Sequence, residues 1–188
     1  MLAIFKREFK SYFQNVIGWL FVAALLAVYG LYFYVYNLKN GYPYISYDLK
    51  GIGFIMMIAV PILTMRSLSD EKKTKTDQLM LTSPVSVGRI VAGKYFAMAA
   101  VYTIVIALFA LSPLVLSIYG KVALSEAYVA LFGYWLYGLS CIAVGLFISS
   151  ISESVIISAI LTFTALFLSY MMQSITGLIS SSGNLLTK

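Results

Sequence analysis

The sequence predicts an all-α integral membrane protein with five transmembrane helices. Of the 188 residues, 61% are hydrophobic and only 11% are charged, whereas about a quarter of the residues are charged in soluble domains. Mean hydropathy is +0.92. A single long polar stretch, residues 66–94, interrupts the apolar segments and holds six of the thirteen Lys and Arg residues. Its position between two spans predicts a segment that a partner can contact from the cytosol.

Residues 1–15 are too polar to cross a bilayer, but their apolar side chains recur at helical spacing. The apolar set is Leu2, Phe5, Phe9, Tyr12 and Phe13, and the polar set is Lys6, Arg7, Glu8 and Lys10. A helix with this pattern lies in the interface with its apolar face in the bilayer. We therefore predict an amphipathic helix at the cytosolic membrane surface. The apolar stretch that follows is too long for the core of a signal peptide and lacks a clear cleavage site.

Five apolar segments are each about long enough to span a bilayer. They are residues 16–38, 51–68, 91–118, 127–149 and 155–175. The loop 39–50 is rich in Tyr, Gly and Pro, and the "SSSGN" run near the end of the chain is predicted to be a loop. Pro61 predicts a kink in the second span. On the fourth span, four small residues predict a face for close helix packing: Gly133, Gly138, Ser140 and Gly145.

Residues 69–90 are predicted to form a cytosolic helical elbow between the second and third spans. The pattern favours a short amphipathic helix over about residues 70–82, a turn at Pro84 and a new helix from about Ser86. Two alternatives stay open. The elbow could be an ordinary charged loop, and Glu71 could simply pair with Lys75 at the i, i+4 spacing of a helix.

The basic residues are distributed unequally between the two sides of the predicted bundle. Nine lie on the side of the N-terminus and four on the other side. Because basic residues favour the cytoplasmic side, we expect a cytosolic N-terminus and elbow, in a multi-pass protein of the cell membrane. Five spans then place Lys188 outside the cell.

Composition disfavours several functions. The chain has no His and one Cys, Cys141, which removes most metal sites, an internal disulfide and His-based catalysis. None of the predicted spans has an ionisable residue at its middle, whereas ion-coupled transporters and channels use such residues. The acidic residues lie at predicted surfaces, which disfavours a membrane enzyme. The positive net charge follows from topology and gives no reason to expect a nucleic-acid partner.

The polar stretch resembles the corresponding linker of ABC-2 type transporter permeases, in particular the branch that contains gliding-motility-like permeases. The matching residues are Asp70, Glu71, Lys72, Lys73, Thr76, Leu79, Met80, Leu81, Thr82, Pro84, Val85, Ser86, Gly93 and Lys94. The chain departs from the pattern at Lys75, Asp77 and Gln78, where the family usually has Gly, Leu and Glu. The segments "IFKREFKSYFQNVIGW", "VPILTMRSLSDE" and "GLFISSISES" extend the resemblance over most of the chain.

This resemblance implies the membrane-spanning permease subunit of an ATP-driven exporter in a bacterial cell membrane. The chain would not be an enzyme itself, because a separate ABC ATPase would bind ATP and Mg²⁺, and a second permease subunit would complete the path. The implied ATPase-coupling residues are Asp70, Glu71, Lys72, Lys73, Leu79, Leu81, Thr82, Pro84 and Val85, and the interfacial helix would contribute Phe5, Lys6, Arg7 and Phe9. The family normally has six spans, so we expect a further span beyond Lys188. The alternative function is a non-transporting membrane scaffold or assembly subunit.

Overall fold

The computed structural model describes residues 2–73, 86–119 and 123–186, with side chains as far as residue 172 except those of Lys73 and Tyr119. All secondary structure in these residues is helical, which confirms the predicted fold class. Five helical segments are long and apolar enough to cross a membrane. These spans are Val16–Lys39, Ile45–Lys72, Val87–Ile118, Leu124–Ile151 and Val155–Met172.

We number the helices α1 to α8 in chain order. Their bounds are α1 Leu2–Gln14, α2 Val16–Tyr32, α3 Ile45–Thr64, α4 Ser69–Lys73, α5 Val87–Phe109, α6 Ser112–Tyr119, α7 Leu124–Ile151 and α8 Val155–Leu186. Helix α2 continues as a π-helical segment, Phe33–Lys39. The alternating direction of the spans gives the bundle two ends. We call the end that carries α1 and α4 the basal end, and the end that carries loop 40–44 the distal end.

Helix α3 lies at the centre of the bundle, where it packs against α2, α7 and α8. Its inward side chains, which include Ile52, Val60 and Leu63, are completely buried. Helix α5 packs against α1, α2 and α7. Large apolar side chains such as Trp19, Phe132 and Phe147 remain exposed on the outside of the bundle. In a protein with five candidate spans, exposed apolar residues of this kind provide the surface that contacts lipid.

The second span begins at Ile45, six residues earlier than the predicted start at residue 51. The predicted loop 39–50 is therefore wrong for residues 45–50, and the connection is only 40–44. Gly41 turns the chain there with a φ of 71°, in the left-handed region that glycine adopts without strain. The helix continues through Pro61, and Met65 N donates to the Pro61 carbonyl at 2.8 Å.

The predicted third span, residues 91–118, is interrupted at Ala110–Leu111, where α5 ends and α6 begins. Pro113 explains the break, because proline has no N–H to donate to the carbonyl of Phe109 four residues earlier. The hydroxyl of Ser112 donates to that carbonyl instead, at 2.7 Å. The first part of the span begins at Val87, directly after Ser86, which confirms the predicted helix start near Ser86.

The last two helices are longer than predicted. Helix α7 covers residues 124–151 against the predicted 127–149. Helix α8 runs to Leu186, so the predicted end at residue 175 and the predicted loop at "SSSGN" are both wrong. Glycine and serine lower helix propensity by about 1 kcal/mol or less per residue, which a long helix tolerates.

Two of the three glycines predicted to form a packing face on the fourth span do so. A Cβ at Gly138 would overlap the ring of Tyr102, and a Cβ at Gly145 would lie 2.5 Å from Thr64 Oγ1. A Cβ at Gly133 would meet nothing within 4 Å. Ser140 is exposed and donates to the Leu136 carbonyl of its own helix. The prediction is therefore wrong for Gly133 and Ser140.

Candidate functional site

The amino group of Lys94 joins three separate segments at the basal end. Lys94 lies in the second turn of α5, and its side chain is only 2% exposed. Its Nζ donates to Glu71 Oε1 of α4 at 2.7 Å and to the Ser67 carbonyl at 2.8 Å. Glu8 Oε1 of α1 lies 3.5 Å from the same nitrogen. We call Glu8, Ser67, Glu71 and Lys94 the basal cluster.

In the basal cluster, the number of hydrogen-bond donors on Lys94 matches the number of oxygen atoms around it. A lysine ammonium has three donors and no acceptor, and Lys94 has three oxygen partners. Burial of an unpaired ammonium is very costly, so the two carboxylates make this position of Lys94 possible. Arg7 adds a second cation, with Nη2 3.3 Å from Glu8 Oε1. The cluster therefore behaves as a charge-paired joint between α1, α4 and α5.

Ser149, near the basal end of α7, attaches the start of α4 to the bundle. Its Oγ accepts from the backbone N–H groups of Leu68 and Ser69, each at 3.2 Å. The Ser69 hydroxyl donates to the Ser149 carbonyl at 3.0 Å. Ser69 and Ser149 are both completely buried. Helix α4 is therefore fixed to α7 at its start and to α5 through Glu71.

Helix α1 has the amphipathic character predicted from its sequence. Phe5, Phe9 and Tyr12 are half-buried, whereas Lys6 and Arg7 are exposed. The Tyr12 hydroxyl donates to the Leu63 carbonyl of α3 at 3.4 Å. Burial, and secondarily the negative charge of Glu8, raises the pKa of Tyr12, so the phenol keeps the proton that it donates.

A polar cleft of about 480 Å³ opens beside the basal cluster between α1, α4 and α5. It is lined by Arg7, Glu8, Ser11, Gln14, Arg66, Ser67, Asp70, Glu71 and Lys94. The cleft combines exposed arginines with carboxylates, so it offers charge-assisted hydrogen bonds to a polar partner.

The structure describes part of the predicted coupling set. Asp70, Glu71 and Lys72 lie in α4, as does the backbone of Lys73. Glu71 has Lys94 as a partner across the bundle. The alternative partner, Lys75, lies outside the described residues. So do the remaining predicted coupling residues, which are Leu79, Leu81, Thr82, Pro84 and Val85.

Sequence reasoning missed the site roles of Glu8, Lys94 and Ser149. Glu8 was placed on the exposed polar face of α1, but it faces Lys94 with a side chain only 15% exposed. The signal was present, because Glu8 lies three residues after Phe5 and four before Tyr12, on the edge of the apolar face. Lys94 similarly lies four residues after Ile90 and four before Met98, both of which are buried.

Lys94 also closes a stretch, "GRIVAGK", that fits the first seven positions of a phosphate-binding loop, G-x-x-x-x-G-K-[ST]. Tyr95 stands where that motif requires Ser or Thr. Residues 87–109 form a continuous helix rather than a loop, and the Lys94 amine is held by Glu71 and Ser67. This stretch is therefore part of a span and not a nucleotide site.

A second polar contact lies at the distal end. Asp48 was predicted to lie in a loop, but it is in the first turn of α3 and completely buried. The Asn37 amide donates to the Asp48 carboxylate. The hydroxyls of Tyr29 and Ser112 form a further hydrogen bond in the distal half of the bundle. These pairs connect α3 to the π-helical segment and α2 to α6.

The fold and the basal cluster define a polytopic helical membrane protein in which the short helices α1 and α4 are joined to the span-forming helix α5 by buried charges. Comparison with protein families identifies it further. Residues 26–186 match the family described as ABC-2 family transporter protein, and the chain therefore belongs to that family. Comparisons with curated proteins and with solved structures gave no match.

Proposed function

We propose that this chain is the permease subunit of an ATP-driven exporter, and that the basal cluster passes movement of a separate ATPase subunit to the spans. The observation that carries the proposal is the position of Lys94. One buried amine on α5 holds Glu71 of α4 and approaches Glu8 of α1. Force applied to either membrane-surface helix therefore reaches α5 through paired charges.

The geometry favours an α4 that is firmly attached and transmits movement through the basal cluster, rather than a loosely attached loop that does not. Helix α4 has only five residues, too few for stability on its own, so its position depends on its contacts with α5 and α7. Glu71 and Ser69 supply those contacts. A partner that displaces α4 must either move α5 and α7 with it or leave Lys94 buried without its Glu71 partner, and an unpaired buried charge is strongly unfavourable.

The partners follow from the family and from this geometry. ABC ATPase subunits would bind ATP and Mg²⁺ and dock on the basal end, where α4 leads into residues 74–85. A second permease subunit, identical or different, would complete the export path, and lipid would surround the exposed apolar faces. The narrower assignment to the gliding-motility-like branch rests on the ordered residues from Asp70 to Lys94 given above.

Docking and coupling can be separated by two substitutions in a complex of this chain with its ATPase subunit. Leu79→Asp is expected to release the ATPase in a detergent pull-down, because it replaces an apolar residue of the predicted coupling set with a charged one. The matched control is Leu124→Asp, the same change at the distal end. Retention of the ATPase by the Leu79→Asp variant, at normal expression, would favour the scaffold alternative.

Glu71→Gln is expected to keep the ATPase bound but to weaken coupling. A fluorophore on Tyr44→Cys, in a Cys141→Ala background, would report ATP-dependent movement at the distal end of the complex in nanodiscs. We expect the ATP-dependent signal to fall about tenfold, within the usual range of coupling free energies. Lys10→Gln, which neutralises an exposed charge on α1, should leave it unchanged. A full signal in the Glu71→Gln variant would show that the cluster does not couple.

The proposed orientation places the basal end in the cytosol, because the sequence predicts nine of the thirteen basic residues on that side. Tyr44 and Lys10 are exposed at opposite ends, so each can be replaced by Cys in a Cys141→Ala background. A membrane-impermeant maleimide added to intact cells should label the cysteine at position 44. The cysteine at position 10 should react only after permeabilisation, and its labelling in intact cells would reverse the orientation.

A further inference from the structure

A cavity of about 690 Å³ lies in the distal half of the bundle, between α3, α7 and α8. It is lined by Ser46, Leu49, Lys50, Gly53, Ala130, Gly133, Tyr134, Tyr137, Ser169 and Tyr170. Small-molecule sites commonly occupy roughly 300–1,000 Å³, so the cavity is of a size that can hold a ligand. The basal cluster lies at the opposite end of the bundle and contributes no residue to the cavity.

Two glycines keep this cavity open without being needed for helix packing. A Cβ added to Gly53 of α3 or Gly133 of α7 would meet no atom within 4 Å. Gly138, one turn further along α7, is different because a Cβ there would overlap the Tyr102 ring. A glycine in a helix costs about 1 kcal/mol relative to alanine. Packing explains that cost at Gly138 but not at Gly53 or Gly133, where a larger side chain would instead fill part of the cavity.

The polar groups of the cavity point to the chemistry of the occupant. The Tyr134 side chain is only 9% exposed, yet its hydroxyl has no hydrogen-bond partner among the described residues. That oxygen is buried behind the cavity wall, so the hydroxyls that a ligand can reach belong to other lining residues. They are those of Ser46, Tyr137 and Ser169.

Lys50 supplies a positive charge at the same cavity. Its Nζ lies 5.9 Å from the centroid of the Tyr47 ring, and none of the ion pairs formed within the described part of the chain involves it. A lysine near a helix end extends its amine toward the headgroup layer. The cavity therefore combines a cation and hydroxyls with apolar walls formed by Leu49 and Ala130.

We infer that this cavity binds the phosphate headgroup and adjoining acyl chains of an anionic phospholipid from the distal leaflet. Lys50 pairs with the phosphate, the hydroxyls of Ser46 and Tyr137 donate to headgroup or ester oxygens, and the acyl chains lie in the space left by the two glycines. The inference does not depend on the ATPase, so it stands or falls independently of the proposed exporter function.

The test uses the full chain in phosphatidylcholine nanodiscs that contain a photoactivatable phosphatidylglycerol. Cross-links should map to peptides of α3, α7 and α8 at the cavity, and unlabelled phosphatidylglycerol should compete. Gly133→Leu is expected to lower labelling about tenfold, which corresponds to about 1.4 kcal/mol of lost binding. The matched control is Gly30→Leu, because Gly30 also has no atom within 4 Å of an added Cβ and does not line the cavity.

Three further comparisons test which chemical groups of the lipid the cavity recognises. Lys50→Gln should weaken labelling by the anionic probe, while a photoactivatable phosphatidylcholine should label the cavity poorly in every variant. Soluble glycerol phosphate should not compete, because it lacks the acyl chains. Unchanged labelling in folded Gly133→Leu protein would overturn the site. Equal labelling by both lipids would overturn its charge preference, and full competition by glycerol phosphate would overturn the role of the acyl chains.

Discussion

Replacement of Lys94 by methionine is expected to lower the free energy of unfolding by about 3 kcal/mol, the lower end of the cost of breaking a buried ion pair. Methionine keeps the length of the side chain but removes its charge and its donors. The Ser67 carbonyl then loses its donor, and Glu71 and Glu8 lose the cation between them. We choose the lower end because the two glutamates retain some exposure, with side chains 17% and 15% exposed.

Thermal unfolding in detergent, followed by fluorescence-detected size-exclusion chromatography, measures this effect. Lys10→Met is the matched control, because Lys10 is exposed on α1. A double-mutant cycle with Glu71→Gln should give an interaction energy of about 1–3 kcal/mol, as expected for two groups in one polar network. Equal melting of Lys94→Met and the unchanged protein would show that the cluster contributes nothing to stability.

The spans were predictable because the bilayer requires long apolar segments, and such segments can be counted directly in a sequence. Their ends were less predictable because polar residues at a helix end can be paired inside the bundle. Asp48 made residues 45–50 resemble a loop, yet Asn37 supplies its hydrogen bond from another segment. The break at Ala110–Leu111 has a local cause, because Pro113 alone is enough to predict an interruption of the helix there.

The basal cluster was only partly predictable. The resemblance selected Glu71, but helical spacing offered Lys75 as its partner, four residues away. The partner that the structure describes is Lys94, which is 23 residues from Glu71 along the chain. Spacing rules apply within one helix, whereas this pair depends on the arrangement of α4 against α5. Glu8 is still further from Lys94, at 86 residues.

Contacts between helices, and not spacing within one helix, also distinguish the glycines of α7. Sequence spacing placed Gly133, Gly138 and Gly145 in one class, because small residues on a membrane helix commonly allow close packing. Only the facing side chains decide which glycine is needed. Tyr102 faces Gly138, whereas the space beside Gly133 is open. This difference can be measured with one chemical change made at two positions.

Gly138→Ala is expected to destabilise the bundle by about 1–3 kcal/mol, the usual cost of overpacking. The added methyl group would lie 2.5 Å from Tyr102 Cε1. Tyr102 cannot easily move aside, because it is completely buried and its hydroxyl donates to the Tyr134 carbonyl at 2.8 Å. Gly133→Ala should instead be neutral or stabilising by up to about 1 kcal/mol, since alanine favours helix and meets no neighbour.

Thermal unfolding of the two variants in the same detergent measures the difference, which should be about 1–4 kcal/mol when both effects are counted. Both variants carry the same added methyl group on the same helix, so the detergent affects them alike. Tyr102→Leu should reduce the cost of Gly138→Ala, because it removes the ring that the methyl group overlaps. Equal stability of Gly133→Ala and Gly138→Ala would contradict the close contact between α5 and α7 on which the packing of the third and fourth spans depends.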